Sequence, residues 1–277
     1  MMKTQLFESA DRIFASLTRI FALVRRYLYL LSNSWPRVIE LAYWPIIQIA
    51  LWGLIDRFFA AHSDWLAQAS GLLIGAALLW DVLYRAQLGV SIVFFEELYS
   101  RNLGHLFVSP LRPHELVIAL LSISLIRTLF GMAIAALLAM LLYEFSIFDL
   151  GLPLLAFFSN LLVMGWATGI LVVALVMRYG LGAEGLAWAL VFAFAPLSGI
   201  YYPVATLPAW GQAIAAWLPA SYVFEGMRQV MMRHGFSFEL FFGAVWLNVL
   251  YLMLGIVLFV LAFRAARQRG LLLNVGE

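Results

Sequence analysis

Long apolar stretches separated by short polar ones dominate the chain. Six of these stretches are long enough to cross a hydrocarbon core of about 30 Å, which takes roughly 20 helical residues. The six predicted spans lie near 38–56, 70–94, 115–143, 152–178, 184–202 and 239–263. Tryptophans lie mostly toward the ends of these segments, as is typical of aromatic side chains at the membrane–water interface. The pattern predicts an all-α integral membrane protein with six transmembrane helices.

The N-terminal region has a different pattern. Apolar residues recur at steps of three and four, while three arginines fall seven apart on another face: Arg12, Arg19 and Arg26. This spacing predicts an amphipathic helix over 6–32 that lies at the membrane interface, with its arginines at lipid headgroups. A cleavable signal peptide fits less well, because charges interrupt the apolar residues and no small-residue cleavage site follows. We therefore divide the chain into an interfacial region, 1–33, and a transmembrane domain, 34–277.

A polar stretch, 94–115, follows the second predicted span. Its charged residues cannot lie in hydrocarbon, where one charge costs at least about 2.5 kcal/mol at the bilayer centre. Apolar residues among them predict a short amphipathic helix from Glu96 to Phe107, ended by Ser109 and Pro110. We interpret this helix as a docking element that a partner protein holds and moves. The residues expected to make the contact are Glu96, Glu97, Arg101, Asn102, Leu103 and Phe107.

A second unusual region precedes the last predicted span. Four of the nine prolines lie here, at positions 196, 203, 208 and 219. A straight helix cannot carry this pattern, so we predict that the fifth span breaks and that short helices follow near 208–218 and 221–233. These helices would lie in or dip into the outer leaflet, forming a re-entrant region, 203–238. We expect it to gate an exit path through Pro203, Pro208, Trp210, Trp217, Glu225 and Arg228.

Three charged residues fall inside predicted spans. Asp81 and Arg85 stand four apart on one helix face and can pair, and Arg127 lies near the middle of the third span. One interpretation is a buried pair that fixes helix packing. The other is that these groups line a route for a polar or anionic substrate. The sequence leaves both open.

Composition excludes several functional classes. The chain is 65% hydrophobic and 12% charged, with a net charge of +2 and no cysteine. It shows neither the basic patches of a nucleic-acid-binding protein nor a thiolate metal site or a cysteine nucleophile. It contains no phosphate-binding G-x-x-x-x-G-K-[ST] loop, and the G-x-G-x-x-G match at 180–185 follows an apolar span, not a β-strand. We expect no catalytic residue, no metal site and no cofactor bound by this chain, with a tight cytoplasmic turn at 180–185.

The distribution of lysine and arginine predicts the orientation. With the N-terminus inside, the cytoplasmic segments carry twelve of these residues and the outer segments three, which are Arg57, Arg228 and Arg233. This asymmetry places both termini, and the stretch 94–115, in the cytoplasm.

Three motifs resemble one known family. They are F-F-E-E-L-Y-S-R-N-L-G-H-L-F-V-S-P-L-R-P at 94–113, P-L-S-G-I-Y-Y-P-V-A-T-L-P-A-W at 196–210 and L-P-A-S-Y-V-F-E-G-M-R at 218–228. The first is similar to the segment after the second span in membrane subunits of ATP-binding-cassette (ABC) exporters of the ABC-2 type, and the other two are similar to that family's later signature. Order, spacing and length agree over essentially the whole chain.

The resemblance implies a permease of six spans with an N-terminal interfacial helix, which forms a homodimer in the bacterial inner membrane. It implies two separate ATPase subunits that bind ATP and magnesium, with 96–107 as the coupling helix and the turn at 180–184 as a lesser contact. The substrate type does not carry over from the resemblance, because relatives move drugs, lipids, polysaccharides and glycolipids; we expect one hydrophobic or amphipathic cargo of this range. The alternative is a stand-alone secondary transporter or channel. Such a carrier needs paired acids in its spans, and Asp81 is the only acid well inside one.

Overall fold

The structure, a computed structural model, describes residues 2–62 and 71–268, with side chains from residue 12 onward except at 107, 108 and 181. This part of the chain is helical and contains no β-strand. The α-helices are α1 Met2–Ser32, α2 Trp35–His62, α3 Leu72–Tyr99, α4 Leu103–Val108, α5 Pro113–Tyr143, α6 Leu152–Tyr179, α7 Gly185–Leu197, α8 Ala209–Ala215, α9 Pro219–Met231 and α10 Phe238–Gln268. Single 3-10 turns cover Ile147–Leu150, Leu181–Ala183 and Val204–Thr206. The all-α prediction is confirmed.

Five of the described helices are long and apolar enough to cross a membrane: α2, α3, α5, α6 and α10. The fifth predicted span, 184–202, forms only the 13-residue helix α7. At 1.5 Å per residue, α7 is about 20 Å long, shorter than a hydrocarbon core of about 30 Å. It ends after Pro196, and Gly199 then adopts a positive φ of 61° that continues no right-handed helix. The prediction of six full-length spanning helices is therefore wrong for the fifth span, whose helix is too short.

The chain nevertheless passes from one end of the bundle to the other between α7 and α9. The start of α7 lies beside the end of α3, where the Tyr99 hydroxyl donates to Glu184. The end of α9 lies beside the start of α3, where Met231 packs near Gly75. We call these two ends of the bundle the α4 end and the α9 end. Helix α7, the irregular segment after it, and the short helices α8 and α9 thus cover the distance that a single straight helix covers elsewhere in the bundle.

Helices α3 and α6 form the centre of the bundle, and α2, α5 and α10 surround them. In the most apolar 18-residue window, 89% of the α3 residues and 78% of the α6 residues are buried, against 22–33% for the three outer helices. Two glycines let the central helices approach closely. A methyl group on Gly165 would lie 2.8 Å from the carbonyl oxygen of Leu83, and one on Gly169 would lie 3.0 Å from that of Gln87. This small-residue pair therefore serves packing within the chain.

Helix α1 confirms the predicted amphipathic pattern over its described side chains. Leu23 and Tyr27 are buried in an apolar cluster at the α4 end, together with side chains of α3, α5 and α6. Four large apolar side chains on the other side are exposed: Ile13, Phe14, Leu17 and Phe21. An exposed apolar face on a helix that is anchored by its opposite face suits contact with lipid.

The predicted helix from Glu96 to Phe107 is wrong, because the structure has two helices there. Helix α3 continues through Glu96 and Glu97 to Tyr99, and α4 begins at Leu103. Between them Arg101 adopts a left-handed φ of 53°. The Arg101 N–H donates to the carbonyl of Leu98 and the Asn102 N–H to that of Glu97, the pair of bonds that defines a Schellman C-cap. Glycine usually occupies this left-handed position, so the arginine concealed the break.

The short helices predicted near 208–218 and 221–233 are confirmed as α8 and α9. Each begins at or directly after a proline, which the first helical turn accepts because its N–H has no intrahelical partner. The break predicted between Pro196 and Pro203 is also present.

Candidate functional site

A buried carboxylate marks the end of α3. Glu97 is only 2% exposed, and both its oxygens accept hydrogen bonds from Arg26 of α1, at 2.5 and 3.2 Å. The Asn102 side chain, beyond the Schellman turn, donates to the same carboxylate at 2.6 Å. Burial and the charge of Glu97 raise the pKa of the neighbouring Tyr27 hydroxyl, which stays neutral. Glu97 therefore joins α1, α3 and the turn that leads into α4.

A second buried carboxylate marks the start of α5. Glu115 accepts two hydrogen bonds from the Arg19 guanidinium, at 2.7 and 2.9 Å, and one from the Ser16 hydroxyl at 2.6 Å. It also accepts the backbone N–H of Arg112 at 2.9 Å, which caps the first turn of α5. The hydrogen bond to Glu115 raises the pKa of Arg19. This two-pronged pair is the stronger geometry for arginine and carboxylate.

Helix α1 thus holds both ends of the polar stretch 94–115. Arg19 and Arg26, two turns apart on α1, bind the carboxylates that precede and follow α4. The expectation that these arginines contact lipid headgroups is wrong, because each has a protein carboxylate as its partner. Arg12, the third member of the repeat, is exposed.

The residues predicted to contact a partner fall into two groups. Glu97 and Leu103 are buried, and Glu96 is half-buried beside Arg37, with 3.3 Å between nitrogen and oxygen. Asn102 is half-buried through its bond to Glu97, and the side chain of Phe107 lies outside the described residues. Of the six, Arg101 alone has a side chain described as exposed. We define the docking surface as the exposed residues between α3 and α5: Ser100, Arg101, His105, Ser109, Pro110 and Arg112.

The turn at 180–184 lies next to this surface. Gly180 has a φ of 77° and the Leu181–Ala183 3-10 turn follows, which confirms a tight turn between α6 and α7. The Tyr99 hydroxyl donates to Glu184 and ties the turn to the end of α3. The same end of the bundle therefore presents α4 and this turn side by side.

The predicted intramembrane pair is confirmed. Arg85 Nε donates to Asp81 Oδ2 at 2.5 Å, and both residues are buried on α3. The Arg85 side chain lies across Gly131 of α5, where a methyl group would come within 2.4 Å of Nε. Arg127 is one helical turn from Gly131 but has no carboxylate partner among the described residues.

At the α9 end, two residues of the predicted gate, Glu225 and Arg228, form an ion pair at 2.5 Å. Arg228 is buried and also donates to the carbonyl of Gly199, which anchors α9 to the break after α7. Trp210 and Trp217 are both about two-thirds exposed. Pro203 and Pro208 are exposed and flank the Val204–Thr206 turn.

Comparison with known families decides which family this is. A family model described as ABC-2 type transporter matches residues 18–232, most of the 277-residue chain. The chain belongs to the ABC-2 type transporter family. The ABC-2 match begins within α1 and ends just after α9. It therefore contains the ion pairs Arg19–Glu115 and Arg26–Glu97, the docking surface and the break after α7, but not α10. A comparison with curated proteins finds no match.

Sequence reasoning missed the two ion pairs that hold α1 in this ABC-2 protein, Arg19–Glu115 and Arg26–Glu97. The seven-residue repeat of arginines was visible, and so were two glutamates that flank a polar stretch, but nothing in either pattern pairs them. Arg26 and Glu97 are 71 positions apart, and Arg19 and Glu115 are 96 apart. No local pattern pairs these residues, because each contact depends on how α1 crosses the end of α3 and the start of α5.

Proposed function

We propose that this chain is the permease subunit of an ABC exporter, driven by separate ATPase subunits that dock on the α4 end of the bundle. Two copies form the translocation path, and each copy binds one ATPase. Membership of the ABC-2 type family supports the need for such a motor. The observation that carries the proposal is the docking surface itself: an exposed, cationic segment whose two ends are ion-paired to a neighbouring helix.

The docking surface fits a partner of complementary charge. Arg101 and Arg112 are exposed cations, His105 lies between them, and the acids of the stretch are withdrawn into ion pairs. A groove lined by acidic or polar groups on the ATPase would therefore match it. The Gly180–Glu184 turn, joined to Tyr99, supplies a lesser contact beside it.

The same contacts give a route for movement. A force on α4 reaches α3 through the Schellman turn, and α3 is the most buried helix of the bundle. Because Arg19 and Arg26 hold both ends of the segment, α1 moves with it. ATP binding would then shift α1, α3 and the start of α5 together and open a path along the dimer interface.

The orientation and the cargo follow the same proposal. The α4 end faces the cytoplasm, as do both termini, and the α9 end faces outward in a bacterial inner membrane. The path from α7 to α9 makes the sixth crossing. Trp210 in α8 and Trp217 in the following turn are exposed and cover the outer end of the translocation path. Their rings, apolar with one polar N–H, suit contact with a hydrophobic or amphipathic cargo.

The stand-alone carrier or channel is less well supported. A proton- or ion-coupled carrier needs a carboxylate that gains and loses its partner during the cycle. Asp81 is instead held by Arg85 at 2.5 Å inside the bundle. No group of three or more acids and histidines that could hold a cation occurs among the residues that the structure describes.

The test uses charge reversal on the docking surface. The tagged chain is purified from its native membrane, and magnesium-dependent ATP hydrolysis of the preparation is measured for the wild type, Arg101→Glu and His105→Glu. We expect the wild type to carry ATPase activity, and each variant to retain about a tenth of it or less, since one unfavourable contact of about 1.4 kcal/mol weakens binding tenfold.

A matched control separates docking from general charge effects. Arg233→Glu makes the same change at an exposed arginine directly after α9, which has a positive φ like Arg101 but lies at the opposite end of the bundle from the docking surface. We expect this variant to keep the full ATPase activity. An equal loss in all three variants, or transport by the purified chain with no ATPase present, would contradict the proposal.

A further inference from the structure

A polar recess lies between α2, α3, α5 and α7, partly open to the surroundings of the bundle. Its volume is about 50 Å³. A single buried water needs roughly 10–15 Å³ measured in this way, so the recess accepts a group about as large as a small oxyanion. The side chains that determine its chemistry are Glu40, Trp44, Tyr84, Arg85, Arg127 and Trp188.

Two guanidinium groups in this recess have nitrogen atoms without hydrogen-bond partners among the described residues. Arg85 is 8% exposed; Asp81 binds its Nε, but its Nη2 has no hydrogen-bond partner among the described residues. Arg127 has no described carboxylate within 4.0 Å. Glu40 lines the recess but is exposed and pairs with neither arginine. Charges within a bundle at membrane depth are almost always paired, so the recess lacks one anion.

An apolar groove continues from the recess. It lies between α1, α2 and α5, has a volume of about 490 Å³ and shares Leu41 and Arg127 with the recess. Leu28, Ile126 and Phe130 are among its lining residues. The volume falls in the usual range of about 300–1,000 Å³ for a small-molecule site. Arg25 also lines the groove, but its guanidinium is exposed and donates to the hydroxyl of Tyr29.

We infer that Arg85 and Arg127 bind the phosphate-type headgroup of an anionic amphiphile, whose alkyl chain lies in the groove. Two planar guanidinium forks match the oxygens of a tetrahedral anion and supply the missing partner. The indole rings of Trp44 and Trp188 flank the headgroup, because each ring can contact a polar group through its N–H and an apolar group through its face. This binding requires neither the ATPase nor transport, so it stands apart from the function proposed above.

Binding is tested with defined probes on the purified full-length chain in a neutral maltoside detergent. The melting temperature is measured with increasing dodecyl phosphate, with dodecanol and with inorganic phosphate. We expect dodecyl phosphate to raise the melting temperature saturably, while the other two have no effect at the same concentrations. Stabilisation by dodecanol would show that the groove binds alkyl chains without a charged headgroup for the arginines to contact. Stabilisation by inorganic phosphate would show a simple anion site, and either result would overturn the proposal.

Two variants locate the headgroup. Arg127→Gln should weaken dodecyl phosphate binding at least about tenfold, since a charge-assisted hydrogen bond in the recess is lost. Arg25→Gln removes a cation from the same groove, and we expect it to bind within about twofold of the wild type. If Arg25→Gln weakens binding as much as Arg127→Gln, the headgroup lies at the bundle surface and the assignment is wrong.

A measurement on the wild type does not depend on how the variants fold. A dodecyl phosphate with a photoreactive diazirine at the chain end is crosslinked, and the labelled peptides are mapped. We expect labels on the stretches around Val38 and Ile126–Phe130, removed by an excess of dodecyl phosphate but not of dodecanol. Labelling spread over the exposed apolar face of α10, without competition, would mean that only the detergent-covered surface had been reached.

Discussion

Arg26 binds Glu97 through both terminal nitrogens, although the two residues are 71 positions apart. The contact joins the most buried helix of the bundle to a helix on its outside. The carboxylate is 2% exposed and the guanidinium side chain 39% exposed, so the pair sits at the boundary between protein and surroundings. Because the carboxylate is buried and the guanidinium is partly exposed, substitution of either residue should change the stability of the protein measurably.

Glu97→Gln and Arg26→Gln should each lower the melting temperature, and the double variant should lose less than the sum of the two. Arg26→Gln is the more damaging single change, at about 2 kcal/mol, because it leaves a buried carboxylate without its cation. Thermal unfolding of the four proteins gives the coupling energy. Arg25→Gln, at the next position, is the control and should have little effect. Additive losses would mean that the pair contributes no coupling.

The buried pair on α3 should behave in the same way but more strongly. Asp81→Asn leaves the Arg85 charge unbalanced, and Arg85→Gln leaves the Asp81 charge unbalanced, at a cost of roughly 3 kcal/mol each. The double variant keeps two neutral polar groups of similar shape, and it should melt above either single variant. If it melts below both, the residues do not act as a pair.

Because Arg101 has a left-handed backbone conformation, glycine should stabilise the protein more than alanine at this position, the reverse of their order inside a helix. Arg101→Gly should be more stable than Arg101→Ala by about 1 kcal/mol, because only glycine adopts a positive φ without a steric cost. His105, inside α4, is the control position: there alanine should be the more stable, by up to about 1 kcal/mol. The same order at both positions would show that residue 101 is not left-handed.

Close approach of α3 and α6 predicts the effect of a single methyl group. Gly165→Ala places that group 2.8 Å from a backbone oxygen and 2.5 Å from Ala86 Cβ, and neither can move without shifting a helix. We expect a loss of about 1–3 kcal/mol in thermal unfolding. Gly185→Ala, which meets nothing within 4 Å, should be neutral or slightly stabilising. Equal stability of the two variants would contradict the observed helix separation.

Cysteine labelling can test whether the α9 end lies in lipid or in water. The chain has no natural cysteine, so one can be placed at Trp210, Ile214 or Trp217, all exposed in the isolated chain. A membrane-impermeant thiol reagent added from outside should label these positions slowly. His234→Cys, in the exposed polar turn after α9, should be labelled rapidly. Rapid labelling at every position would make 208–218 an ordinary surface loop and remove the proposed exit cap.

Short-range patterns predicted much of this structure. The amphipathic spacing in α1 predicted a helix, and the four-residue spacing of Asp81 and Arg85 predicted their bond. The prolines of 196–219 predicted a broken span and two short helices. Each of these rests on residues within a few turns of one another, where helical geometry alone decides which groups meet.

Long-range contacts and single backbone conformations were beyond that reasoning. No periodicity indicates that Arg19 faces Glu115, because that depends on how α1 crosses α5. The break at Arg101 was hidden, since arginine favours helices and only the hydrogen bonds of the turn show its left-handed φ. The fifth span was predicted too long because hydropathy counts apolar residues on both sides of Gly199 without registering that the helix has ended.

Glu115 connects local unfolding events in two helices. Its carboxylate accepts the N–H that caps α5 and, at the same time, the side chains of Ser16 and Arg19 from α1. Fraying of the first turn of α5 displaces Glu115 and breaks its hydrogen bonds to Ser16 and Arg19, and separation of α1 leaves the capping carboxylate without its cation. In hydrogen exchange, the amides of these two segments would open as a single cooperative unit, despite the span that separates them along the chain.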